Sequence, residues 1–93
     1  PQVRLAPNPF NPRTRISFDL ATARDVELAV FDARGRRVAV LHRGPVAAGP
    51  FGVDWDGRGD DGLPRPAGLY LFRLDPRGDA GWTPVVTKGI LLE

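Results

Sequence analysis

The 93-residue chain contains no cysteine, so it has neither a disulfide framework nor a thiolate metal site. Its core must hold by packing alone. It has a single histidine, His42, and no serine, cysteine or second histidine stands at a spacing that would join a nucleophile to its base. No uninterrupted apolar run approaches the roughly 20 residues that cross a bilayer, and no basic, apolar, small-residue leader opens the chain. The sequence therefore predicts a chain that does not span a membrane, with any export signal lying elsewhere. Because residue 1 is Pro1 rather than Met, the simplest expectation is a piece of a longer precursor. Charge of either sign is also scarce in net terms: 13 basic against 11 acidic residues leave +2. The pI near 9.9 reflects the predominance of arginine, which does not deprotonate, rather than a basic patch. Arg34, Arg36, Arg37 and Arg43 form the densest basic stretch, but apolar residues alternate with them at strand spacing. The expectation is a solvated strand face and no nucleic-acid partner.

What the chain does have is 42% hydrophobic residues, which is too much for a disordered tail, together with eleven glycines and ten prolines set between short alternating runs. No helix of ordinary length fits. Taking every second residue gives Ile16, Phe18 and Leu20; Val26, Leu28 and Val30; Val38 and Val40; Phe51, Val53 and Trp55; and Tyr70, Phe72 and Leu74. Each set lines one face of a strand. "DARG", Asp32 to Gly35, reads as a hairpin turn joining two antiparallel strands. "GPVAAGP", Gly44 to Pro50, reads as a longer crossover between sheets. In "TPVVTKGILL", Pro84 belongs at an edge and Gly89 marks a bulge or a close backbone approach. With a short strand around Val3 to Leu5 the count is about seven. That predicts an all-β, two-sheet antiparallel sandwich of the immunoglobulin-like class, forming one domain over residues 1–93. Trp55 is the expected central plug, with Tyr70 and Phe72 beside it.

"LAPNPFNPRTRISFDL" places Pro7, Pro9 and Pro12 just ahead of the first long strand, and none of them can donate a ladder hydrogen bond. This proline-rich opening segment, residues 1–13, is expected to be stiff and extended, lying across one end of the sandwich with Phe10 as an apolar lid. Full burial of Phe10 contributes about 1.5–3 kcal/mol. Asn11 is expected to cap the turn before Thr14.

"PNPFNPRTRISFDL" resembles the opening motif of the bacterial carboxy-terminal sorting domains of type IX secretion. "VELAVFDARGRRVAVL" and "GPFGVDWDGRGDDGLPRPAGLYLFRL" resemble that family's later blocks, in the same order. The latter half is also similar to the immunoglobulin-like domain of the flagellar hook-capping protein. The resemblance implies a non-catalytic module at the end of a large exported protein, recognised by secretion translocon components and sometimes removed afterwards. Its partners would be that translocon and the preceding cargo domain of the same chain. It would reach the cell surface or medium via the periplasm, and no cofactor is implied. The alternatives are a structural or assembly module like the hook-capping domain, or an accessory carbohydrate-binding domain. Within the sorting reading, the last strand, with Lys88, Gly89, Ile90, Leu91 and Leu92, is the expected partner-binding element. Terminal edge strands expose unpaired backbone groups for strand addition.

"DWDGRGDDG", Asp54 to Gly62, crowds four carboxylates among glycines, but it does not fit the helix-loop-helix calcium template. Counting from Asp54 puts arginine at the fifth and twelfth positions, where oxygen donors are required. An irregular site from Asp56, Asp60 and Asp61 stays open beside the plainer reading of turns whose carboxylates satisfy local N–H groups. The "RGD" within it, Arg58 to Asp60, arises easily in an arginine- and glycine-rich chain. Asp54 and Asp56, two apart on a strand and so about 7 Å apart, show no sign of the cleft that paired-carboxylate hydrolysis needs. Trp82 is the one aromatic expected at the surface.

Overall fold

The computed structural model describes residues 1–77 and 83–93. Seven strands, β1 (Arg4–Ala6), β2 (Thr14–Leu20), β3 (Arg24–Asp32), β4 (Arg37–Val46), β5 (Gly49–Trp55), β6 (Gly68–Pro76) and β7 (Val85–Leu91), form two antiparallel sheets. One sheet has the order β1-β2-β5 and the other β4-β3-β6-β7. No helix occurs among the described residues. The expected all-β sandwich of about seven strands is the fold observed.

Alternation dictates most of the packing. In β2, Thr14, Ile16, Phe18 and Leu20 point inward while Arg15 and Asp19 point to water. There Arg15 pairs with Asp54 of β5 at 3.0 Å and Asp19 with Arg4 of β1 at 3.2 Å. In β3 and β6, Val26, Leu28 and Val30 meet Leu74 and Phe72 in the same interior layer. The regular pattern fails in β4. Two bulges leave Leu41 and Val38 without direct partners on β3, so that Val38 and Ala39 are both buried while Val40 is only half-buried.

The β3–β4 connection is the expected turn. Gly35 takes a φ of +83°, and the Asp32 carboxylate accepts from the backbone N–H of Arg34 at 2.9 Å and of Arg36 at 3.0 Å. The crossover is shorter than the sequence predicts. Strand pairing runs through both prolines of "GPVAAGP", leaving only Ala47 and Ala48 between β4 and β5. Both are edge strands, where a missing proline N–H forfeits no ladder bond, and buried Val46 draws the chain inward.

Trp55, at the end of β5, is 2% exposed and meets Tyr70, Phe72 and Phe10 edge-on, at centroid distances of 5.2, 5.6 and 5.9 Å. Each such pair adds about 0.5–1.5 kcal/mol beyond area burial. The indole N–H donates to the Arg58 carbonyl at 2.8 Å. Tyr70, near the start of β6, donates its hydroxyl proton to the Pro66 carbonyl at 2.7 Å, four residues upstream. This is the tyrosine-corner arrangement of immunoglobulin-like sandwiches. Burial raises the Tyr70 pKa above its ordinary 10.0, which keeps the hydroxyl a donor.

The Asp32 turn generates a pH prediction. Hydrogen bonds from the Arg36 and Arg34 N–H groups and the Arg36 guanidinium hold its pKa below the ordinary 3.8, outweighing partial burial. The ionised form is therefore favoured by folding. Its contribution is present above the unfolded-state pKa and is lost as pH falls through the lowered folded-state pKa. Thermal melts from pH 7 to 2.5 should show Asp32→Asn less stable than wild type at neutral pH, with the gap closing below about pH 4. A gap that stays constant to pH 2.5 would show that Asp32 does not act through its charge.

Candidate functional site

The last strand and what surrounds it form the candidate site. Along β7 the side chains of Lys88 and Ile90 point outward, Gly89 and Leu91 point inward, and Leu92 is exposed just past the strand. The buried pair are therefore not presented to a partner. Gly89 is a point of close approach rather than a bulge. A Cβ there would lie 2.8 Å from Leu5 Cδ2, 3.0 Å from Phe72 and 3.1 Å from Phe10. The missing side chain makes room for Phe10, which is 1% exposed and 6.2 Å from Phe72 between ring centroids.

The outer edge of β7 is not open over its carboxy-terminal half. The opening segment lies along it as a short parallel partner. Phe10 N–H donates to the Ile90 carbonyl at 2.9 Å, and Leu92 N–H donates to the Phe10 carbonyl at 2.8 Å. One step back, the Asn8 side chain plays the part of a peptide group. Its Nδ2 donates to the Lys88 carbonyl at 3.2 Å, and its Oδ1 accepts from Ile90 N–H at 3.0 Å. Asn11 Nδ2 donates to the Glu93 carbonyl at 2.7 Å rather than capping its own turn, because the chain end passes within reach. Thr14, opening β2, donates to the Pro7 carbonyl at 2.7 Å and ties the other end of the segment down. The segment is bent at residues 7–9 and 11–12 rather than extended, and its three X–Pro bonds are cis. The unpaired groups expected on β7 for strand addition are thus occupied from Lys88 to Leu92.

The aspartate loop is similarly self-satisfied. Asp56 accepts from Arg58 N–H at 3.1 Å. Asp61 accepts from Leu63 N–H at 3.0 Å and faces the Arg65 guanidinium at 3.5 Å. Asp60 lies against the edge of β4, donating its N–H to Val38 at 3.0 Å and accepting from Val40 N–H at 3.2 Å. The three carboxylates serve three different partners. No group of three His, Cys, Asp or Glu residues suited to a metal occurs among the described residues. "RGD" is not displayed as a free tripeptide, since Arg58 donates to Gly62, Gly59 is buried, and Asp60 is bound to β4. Asp54 is paired with Arg15, away from the Asp56 turn. His42 is partly buried, edge-on to Phe51 at 5.0 Å with its Nε2 unpartnered. Trp82 lies outside the described residues.

Sequence reasoning missed Asn8 and Asp60 as edge partners, and it missed the outward side of β6. The last left a signal: "LYLFRL" is apolar at both parities, so one of its two apolar sets must face away from the core.

A sandwich of this topology, built around a tyrosine corner and an aromatic cluster, is an immunoglobulin-like module. The chain belongs to the FlgD Ig-like domain family, whose profile matches residues 7–79. Among solved structures it is similar to dimeric latent PorU from Porphyromonas gingivalis, with 26% identity and a TM-score of 0.77. That likeness covers 97% of this chain and 9% of PorU. FlgD from P. aeruginosa matches at 26% identity and a TM-score of 0.68, over 84% of this chain and 61% of FlgD. PorZ, described as an essential surface component of the P. gingivalis type-IX secretion system, shares the fold at 18% identity and a TM-score of 0.66. It is covered to 11% and this chain to 98%. No curated protein sequence matches the chain significantly. The chain thus spans less than two thirds of each of these structures. Among the described residues no helix is long and apolar enough to cross a membrane.

Asn8→Ala removes two bonds from the β7 edge and should cost about 1–3 kcal/mol by urea titration. Exchange of the Ile90 amide should accelerate more than that of Leu28. Equal protection at both would mean the side chain does not hold the edge. For the aspartate loop, millimolar calcium followed by chelator should leave the melting temperature unchanged. A site filled to a hundred times its dissociation constant would instead add about 2.7 kcal/mol.

Proposed function

We propose that this chain is a non-catalytic immunoglobulin-like module that acts as the carboxy-terminal export and sorting signal of a larger exported bacterial protein. It is read by outer-membrane secretion components and travels with its cargo domain through the periplasm to the cell surface or medium. The observation that carries this reading is the union of "PNPFNP" with the last strand through Phe10, Asn8 and Asn11. That union joins the opening motif of the sorting-domain resemblance to a last strand that lies beyond the FlgD family match, which covers residues 7–79. Likeness to PorU over 97% of the chain supports the same reading, since the FlgD family match ends at residue 79. A share of only 9% of PorU is in keeping with a small module on a large protein.

A structural or assembly role is the second reading, favoured by the family match and the FlgD structure. A sugar-stacking role has no exposed aromatic among the described residues to support it, since Phe10, Phe18, Trp55, Tyr70 and Phe72 are buried and Phe31 and Phe51 half-buried.

A folded reporter carrying an ordinary signal peptide, with residues 1–93 at its carboxy terminus, should reach the surface of a type IX-competent host. Accumulation of intact fusion in the periplasm of a host exporting its own cargo would overturn the sorting reading in favour of assembly. Deleting residues 88–93 is a poor probe, because it removes buried Leu91 and the dock of Phe10 and so should unfold the domain.

A further inference from the structure

The two outer faces of the sandwich are chemically unlike. On the three-stranded sheet, Arg15, Ser17 and Asp19 face Asp54, Gly52 and Pro50, and the charges close into the Arg15–Asp54 and Arg4–Asp19 pairs. That face holds no large apolar side chain. On the four-stranded sheet, strand register sets Arg37, Phe31, Leu71 and Lys88 side by side across β4, β3, β6 and β7. Beside this row stand Leu69 and Ile90, cross-strand partners that are 37% and 40% exposed. Val86, 52% exposed, stands opposite Arg73, whose guanidinium lies 4.4 Å over the Phe31 ring. Single exposed apolar residues are ordinary on a protein surface, but a contiguous set on one face only is not.

The charges on this face discriminate among occupants. Its acids are already used: Glu27 pairs with Arg43 at 2.6 Å and Asp75 with Arg73 at 2.7 Å. The cations that end the apolar row, Arg37 and Lys88, have no ion-pair partner among the described residues. A second copy would bring free cations against free cations with no free carboxylate to meet them. An anionic bilayer is bound by clusters of about four to eight basic residues, not by two cations set at opposite ends of an apolar row. The complement that fits is a protein surface with apolar side chains bracketed by carboxylates.

We propose that the outer face of the four-stranded sheet, centred on Phe31, Leu71, Leu69 and Ile90 and bounded by Arg37 and Lys88, docks an acidic-rimmed apolar surface of the secretion machinery. This rests on the sorting reading and replaces strand addition at β7 with recognition of a sheet face. Lys88 and Ile90 are read through their side chains, while Gly89 and Leu91 only hold them in place.

The test uses the reporter fusion with three changes. Arg37→Glu with Lys88→Glu reverses the free charges, and Leu69→Asp with Ile90→Asp breaks the apolar row. Arg4→Glu with Asp19→Arg swaps an ion pair on the opposite face as the control. Surface display should fall at least about tenfold for the first two and stay at the wild-type level for the third. Melting of the purified domains checks folding, and Lys88→Glu alone, at an exposed position, serves if a double variant unfolds. Export of the four-stranded-face variants at the wild-type level would overturn the docking face while leaving sorting intact. Failure of the wild-type fusion itself to be exported would overturn the sorting reading and the docking face with it. Sedimentation of the wild-type domain as a dimer that the face variants dissociate would make the occupant a second copy and overturn the proposal.

Discussion

Phe10 reaches the core from a segment that belongs to no strand, and the space it fills exists because Gly89 has no side chain. Its ring meets Trp55 and Phe72 edge-on, while its backbone N–H and C=O take up Ile90 and Leu92. One residue therefore closes the aromatic cluster and satisfies the end of an edge strand at once. Removing the ring opens a cavity under Trp55, whereas adding a Cβ at Gly89 pushes the ring out of the same place. The opening segment and β7 are held together by this contact.

Edge satisfaction governs the rest of the architecture. A two-sheet sandwich has four edge strands, and each is blunted differently. β1 is three residues long, β5 carries Pro50, β4 is bulged and meets Asp60, and β7 meets Asn8 and Phe10. At Asp60 and at Asn8 a side-chain oxygen accepts from an edge N–H while a nitrogen of the same residue donates to a carbonyl two residues away. These pairings give the edge what a neighbouring strand would give it, without offering a new edge in turn.

With the edges blunted in these ways, the two outer faces differ in what they leave unsatisfied. The three-stranded face closes on its own ion pairs. The four-stranded face does not, because Leu69, Leu71, Val86 and Ile90 stand at its outward positions on β6 and β7, and Arg37 and Lys88 have no ion-pair partner among the described residues. This asymmetry is what the proposed docking face rests on.

Alternation by itself determined the strands, the inward residues of β2, β3 and β6, and the sandwich they imply. Those are properties of a period-two pattern, legible wherever one face is buried. The proline-rich opening marked Phe10 as an apolar lid, and a glycine inside a strand pattern marked Gly89 as a bulge or a close approach. Tertiary structure alone decided what lies against them. Asn8 and Ile90 are 82 residues apart, and nothing local tells an amide that will bond a distant edge from one that will cap its own turn. The bulges that turn Val40 out of the core arise from the fit of β4 to β3, not from the residues of β4. The outward apolar row was visible as excess hydrophobicity in "LYLFRL", but its continuity with Phe31, Ile90 and the flanking cations exists only through the register of four strands. A strand pattern specifies which side of a strand is wet; which wet residues become neighbours is set by how distant strands align.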